Sequence, residues 1–328
     1  MYITYRKSCK FEWFIQSLLS QIDASMRNKL QLIIVDGILN TGEDDSRREY
    51  FRHQIPSYLE YIHVAPKPTA WQGPYRVTSK DYFAAANTRN TGACYAKHPY
   101  IAFVDDLGVL ESTWLSAVIN GAAHNRIYCG AYTKVRNMQV VDGKMVGGDT
   151  SGGIDHRLRI YSSDISECPG GHMFGSSFSM PLCWFFELNG QNEMCDGLGG
   201  EDYDFGIRLA RVGKKLYYNK SMFIFEANEQ FDTDISRSCI RADPVISAVD
   251  FQERVKIHNI QNISGRRDLS HFMLSYSQHG PIRVNPTFSI EEYNRLICHL
   301  NVVPDEVFIK PDLDEIHFFT NNPIRYGL

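Results

Sequence analysis

The sequence predicts a layered α/β fold, and three observations carry that expectation. Short β-branched or aromatic runs alternate with stretches of helical apolar spacing through the first half of the chain. Two of those runs end in aspartate, at the strand edge where α/β sheets hold polar ligands. The hydrophobic fraction of 43% over 328 residues is ample for a large core.

Taken in order, the strand candidates are YIT (2–4), LQLIIVD (30–36), YIHV (61–64), YIAFVD (100–105) and IYCGAY (127–132), each a β-rich run bounded by polar residues. Helical spacing appears in FEWFIQSLLSQI (11–22), in the alanine-rich SKDYFAAANTRNTGACYAK (79–97) and in STWLSAVINGAAHN (112–125). Residues 142–171 are rich in glycine and serine and read as a long mobile loop. GLGGEDYDFGIRLARVG (197–213) places two acids at a helix start behind glycines, with Phe205, Leu209 and Val212 as its buried stripe and Asp204 and Arg208 at i,i+4. SIEEYNRLICHL (289–300) carries a capping box from Ser289 to Glu292, within an otherwise irregular, proline-spaced tail. The division expected is a catalytic domain over 1–235 and a mainly helical or irregular extension over 236–328, for acceptor binding or oligomerisation.

With 34 basic and 38 acidic residues, no global field points to nucleic acid or an anionic membrane, although a local basic groove stays open. No window reaches the roughly 18 consecutive apolar residues that span a bilayer, and no signal-peptide core follows MYITYRKSCK, so a soluble cytoplasmic protein is expected. The eight cysteines form no CxxC pair and no zinc spacing, which favours buried reduced thiols.

The aspartates at the strand ends, Asp36 and Asp105–Asp106, are either ligand-binding carboxylates or turn and cap residues. Four blocks in order decide between these. YITYRKSCKFEWFIQSLLSQ, LIIVDG, AANTRNTGACYAKHPYIAFVDD and GGEDYDFGIRLARVGKKLYY together resemble a family 2 glycosyltransferase of the GT-A fold, over roughly residues 1–228. The resemblance implies a Rossmann-like mixed sheet flanked by helices, and inverting transfer of a hexosyl group from a nucleotide-diphosphate sugar, UDP by default, to an acceptor hydroxyl. It implies Thr4, Asp36, Arg89, Asp105 and Asp106 as nucleotide-sugar ligands, with Asp105 toward the ribose and Asp106 toward Mn²⁺ or Mg²⁺. Arg76 and Lys80 are further candidates for the diphosphate.

Two positions depart from that family's pattern. Leu107 stands where a second aspartate would complete Asp-x-Asp, and Glu226 stands where many members have a metal-binding histidine. Glu226 is then either a metal ligand or a surface acid.

Transfer needs a base near the acceptor hydroxyl, and Asp202 is the candidate, with Glu201 steadying the acceptor or the glycine turn. A helix N-terminus is expected to keep Asp202 ionised. His172 and Trp184, with Phe185, are candidates for an acceptor wall, and Trp71 either stacks on substrate or packs in a core or lid. The acceptor itself stays open among a glycan, a lipid-linked sugar, a protein side chain and a modified nucleic-acid base.

Two other classes compete. A nucleotidyltransferase would resemble its relatives by an N-terminal glycine-rich loop, and YITYRKSCKFEW has no glycine. A degenerate sugar-nucleotide or glycan-binding module draws support from Leu107 and Glu226 alone.

Overall fold

A computed structural model of the chain describes residues 1–27, 29–39, 44–66, 84–188, 190–191 and 200–228. The expected extension and its helix at 289–300, together with Trp71, Arg76, Lys80 and Gly199, lie outside the described residues. In chain order the elements are β1 (Tyr2–Thr4), α1 (Phe11–Leu19), β2 (Gln31–Asp36), α2 (Asp44–Arg52), β3 (Glu60–Val64), α3 (Ala85–Tyr95), β4 (Tyr100–Val104), β5 (Gly108–Leu110) and α4 (Trp114–Ala123). There follow β6 (Ile127–Val141), β7 (Lys144–Asp149), α5 (Arg157–Ile160), β8 (Ile165–Cys168), a 3-10 turn (Gly170–His172), β9 (Ser177–Pro181), α6 (Leu182–Glu187), α7 (Glu201–Arg211) and β10 (Leu216–Ala227).

Ten strands form one mixed sheet in the order β3-β2-β1-β4-β9-β6-β10-β5, with β7 added to β6 and β8 to β10. β1 runs parallel to β2 and β4, β3 to β2, and β10 to β6, while β9 runs antiparallel between β4 and β6. Side chains alternate faces along a strand, and β2 shows the result. Leu32 and Ile34 enter the core beneath α1 and α4, with Phe14, Leu18, Trp114 and Leu115. Ile33 and Val35 enter the opposite core beneath α3, α6 and α7, with Ala93, Phe185, Phe205 and Leu209. Both faces are covered, so the strands read as near-continuous apolar runs rather than alternating ones.

The segment 142–171 is not a long loop. β6 and β7 form a hairpin in which Val141 pairs with Lys144 across Asp142–Gly143, whose φ values of 49° and 68° suit a type I′ turn. Val212 is also not part of the buried stripe: α7 ends at Arg211, and Val212 is 42% exposed. Phe205 and Leu209 are fully buried, and Arg208 donates to Asp204 at 2.8 Å. Cys9, Cys94, Cys129 and Cys168 are buried free thiols, and Cys183 is an exposed one. No helix among the described residues is long and apolar enough to cross a membrane.

Candidate active site

A cavity of about 310 Å³ opens at the carboxyl edge of the parallel strands. β4 ends at Val104, so Asp105 emerges at that edge, where its N–H bonds the carbonyl of Ser176 at 3.3 Å. Glu226 arrives near the end of β10, paired in register with Lys134 on β6. Arg89 comes from α3, Phe174 and Gly175 from the turn before β9, and Glu201 and Asp202 from the first turn of α7. Four of the acids expected at the site therefore share one cavity.

Arg89 joins them. Its Nη2 donates to Asp105 Oδ1 and its Nη1 to Glu201 Oε1, each at 2.7 Å, and the residue is only 1% exposed. Gly175 lies flat against this guanidinium, and a Cβ there would run into Nη2. Burial pushes the Asp105 carboxyl up to about 6, with Glu226 and Glu201 adding repulsion that Arg89 offsets only in part. Arg89 was expected to meet a diphosphate; as placed, its donors serve two carboxylates.

Asp202 is held differently, by neutral donors. The N–H of Gly175 reaches Oδ2 at 2.6 Å, and the N–H of Tyr203 reaches Oδ1 at 2.7 Å. Gly200 precedes α7 at φ 86°, a left-handed position that sends the chain sharply into the helix. Burial raises the Asp202 pKa, and the charge of Glu201 raises it further, against the pull of Arg89 and the two N–H groups. The net shift is upward, opposite in direction to the one expected from the helix terminus, because desolvation and a like charge outweigh a dipole effect of about 0.3–1 kcal/mol.

Other expected residues lie outside the cavity. Asp36 is fully buried, with Oδ1 accepting from Ile38 N–H and Oδ2 from Arg47 Nε at 2.7 Å and His63 Nε2 at 3.1 Å. Burial works against its charge, yet His63 and Arg47 hold its pKa below the ordinary value. As arranged, both its oxygens are taken by the protein. Thr4 donates to Asp106 at 2.8 Å, and Arg6 donates to the same carboxylate at 3.2 Å. Thr4 and Arg6 thus hold Asp106, and burial lifts its pKa to about 6.

Leu107 adopts a φ of 61° and sits 2% exposed in an apolar cluster with Val109, Val135, Met138 and Ala227. The third position of the acidic motif has become a core position. Trp184 packs against the core beneath Lys214, whose ammonium lies 4.6 Å from the ring centroid, so it is not a cavity wall. His172 is close in sequence to the cavity but does not line it; its Nδ1 meets the Tyr161 hydroxyl at 2.7 Å.

The expected metal pair, Asp106 with Glu226, does not line the cavity together. Asp105 and Glu226 do, and Glu226 Oε2 is buried without a hydrogen-bond partner while Oε1 pairs with Lys134. Among the described residues no group of three or more His, Cys, Asp or Glu forms a protein cage for an ion. Hard cations commonly take one or two carboxylates plus substrate phosphates, so Asp105 and Glu226 fit such an ion without a cage.

Lys134 escaped sequence reasoning because its partner lies 92 positions away; Phe174 and Gly175 follow the segment read as loop and carry no local pattern of their own. Asp155 and Arg157 were hidden inside that segment, although a D-x-R pair is a recognisable ion-pair signal.

No known protein-family profile matches the chain, and no curated protein matches it in sequence. Among solved structures it is similar to GalNAc-T7 crystallised with UDP, GalNAc and Mn²⁺, at 12% identity and a TM-score of 0.52, covering 92% of this chain. The chain spans 54% of the length of that protein. It is also similar to S. aureus TarS 1–349, in complex with UDP-GlcNAc (93% of this chain, 80% of that one) and without it (98% and 86%), at 12% identity and a TM-score of 0.49 in each case. With its central mixed sheet flanked by helices and its match to the first of these structures, the chain has the GT-A fold.

Proposed function

We propose that the chain is an inverting glycosyltransferase of the family 2 type, moving a hexosyl group from a nucleotide-diphosphate sugar to an acceptor hydroxyl. The single observation that carries this reading is Asp202, a carboxyl with a raised pKa that lines the cavity, held by two backbone N–H groups and by no cation. Such a group can take the proton of an acceptor hydroxyl. The acceptor oxygen attacks the anomeric carbon as its proton passes to Asp202. The bond from that carbon to the phosphate oxygen breaks, and the diphosphate leaves with the electron pair.

Arg89 keeps Asp105 and Glu201 paired at 2.7 Å, whereas Asp202, bound by backbone N–H groups alone, keeps lone pairs for the proton. Lys134 brings a second cation to the cavity. A divalent cation, Mn²⁺ or Mg²⁺, would be held by Asp105 and Glu226 and would supply charge neutralisation for the departing diphosphate. A uridine nucleotide is the donor we favour, because the structurally similar GalNAc-T7 was crystallised with UDP, GalNAc and Mn²⁺.

A second reading, a sugar-nucleotide-binding module without turnover, is favoured by the Leu107 side chain in the core and by Asp106 held to Thr4 and Arg6. Release of nucleoside diphosphate from a panel of sugar nucleotides with Mn²⁺ separates the two. Turnover that depends on Asp202 supports the enzyme; nucleotide binding with no turnover from any donor supports the module.

A further inference from the structure

Arg157 and Asp155 form an ion pair whose side chains are both fully buried, and no step of the proposed transfer uses it. Burying such a pair is costly in desolvation, so its placement calls for a role. Arg157 Nε lies 2.9 and 3.0 Å from the two Asp155 oxygens, Nη2 lies 2.8 Å from Oδ2, and the Tyr218 hydroxyl donates to that same oxygen at 3.1 Å. This fixes the guanidinium in one orientation. Its remaining donors reach the carbonyls of Gly130, at 2.6 Å, and of His172. Its face lies 4.2 Å from the ring centroid of Phe174. The guanidinium therefore holds His172 and Phe174, and the next residue is Gly175, whose N–H meets Asp202 at 2.6 Å.

We propose that Arg157, locked by Asp155, is a positioning residue that grips the His172–Phe174 segment from behind so that the Gly175 N–H meets Asp202. The inference rests on Asp202 as the base. The charged groups around Asp202 are Glu201 beside it on α7, Arg89 from α3, and Asp105, Lys134 and Glu226 across the cavity, with the Cys129 thiol of β6 within electrostatic reach. Loosening the grip removes a donor to the carboxylate and leaves those charges in place.

The test compares the pH dependence of kcat/KM for nucleoside diphosphate release in the wild type, Arg157→Lys, Phe174→Leu and Asp202→Asn, with thermal melts of each. Arg157→Lys keeps the charge and loses the fork. Its acid limb should move up by about half a unit to one unit, and kcat should fall about ten- to a hundredfold with KM for the donor little changed. Phe174→Leu should shift the limb in the same direction by less, and it decides the matter if Arg157→Lys does not fold. A lowered melting temperature with the wild-type acid limb and kcat in the folded variants overturns the proposal and leaves the pair a purely structural one. Asp202→Asn distinguishes the two levels: wild-type activity in that variant overturns the base assignment itself. Loss of activity there, beside unmoved limbs in the other two, overturns the grip alone.

Discussion

Arg89 bridges two carboxylates that lie 96 positions apart in the chain: Nη2 donates to Asp105 and Nη1 to Glu201, each at 2.7 Å. One buried guanidinium thereby ties the end of β4 to the start of α7 across the cavity. Removing it leaves two acids without their cation in a desolvated place.

Arg89→Gln should therefore destabilise the fold by about 3–5 kcal/mol, the cost of breaking a buried pair by removing one partner. Urea unfolding monitored by circular dichroism measures this. Wild-type stability in Arg89→Gln would show that the bridge contributes nothing.

Leu107→Asp would restore the Asp-x-Asp pattern on paper. Its side chain would enter the apolar cluster of Val109, Val135, Met138 and Ala227, where a carboxylate finds no partner. The expected outcome is a loss of roughly 3 kcal/mol in stability with no gain in Mn²⁺ affinity. Tighter Mn²⁺ binding by titration calorimetry, in a stably folded variant, would contradict the placement of Leu107 in the core.

Gly206→Ala should disturb the site from a distance. A Cβ on Gly206 would run into the carbonyl oxygen of Gly170, so α7 must move off the 3-10 turn that it packs against. Overpacking of this kind costs about 1–3 kcal/mol. The shift should also pull Asp202 from the Gly175 N–H, lowering kcat more than it raises KM. A change in melting temperature with unchanged kcat would limit the contact to stability.

pH should act on stability through Asp106, whose folded pKa is raised to about 6 by burial from the ordinary 3.8. A carboxyl raised in this way binds its proton more tightly in the folded state, so its contribution is present below the unfolded pKa and lost as pH rises through about 6. In Asp106→Asn that loss should vanish, and the urea midpoint should change less between pH 4 and 7 than in the wild type. Equal pH dependence in both proteins would refute the shift.

The parts of the fold legible in the sequence were those with strong local patterns. β1, β2, β4, α1, α3 and α4 stand within a few residues of their apolar runs, because each buries a continuous face. The hairpin of β6 and β7 carried a readable signal, Asp142–Gly143 between alternating residues, that the surrounding glycines masked. β9 was missed because its identity as a strand comes from its place between β4 and β6.

At the site, sequence identified the acids but not their partners. Asp105, Glu201, Asp202 and Glu226 converge as a set. Asp36 and Asp106 do not join them, because Arg47, His63, Thr4 and Arg6 claim their oxygens across distances no local pattern records. Trp184 was singled out by its place ahead of the acidic block, and its ring packs against the core instead.

Nucleoside diphosphate release by Asp202→Asn shows whether Asp202 takes the acceptor proton in a sugar transfer. With a UDP-sugar that the wild type turns over, kcat should fall about 10²- to 10⁴-fold in Asp202→Asn, with the fold and donor binding retained. Turnover by Asp202→Asn at the wild-type rate would contradict it.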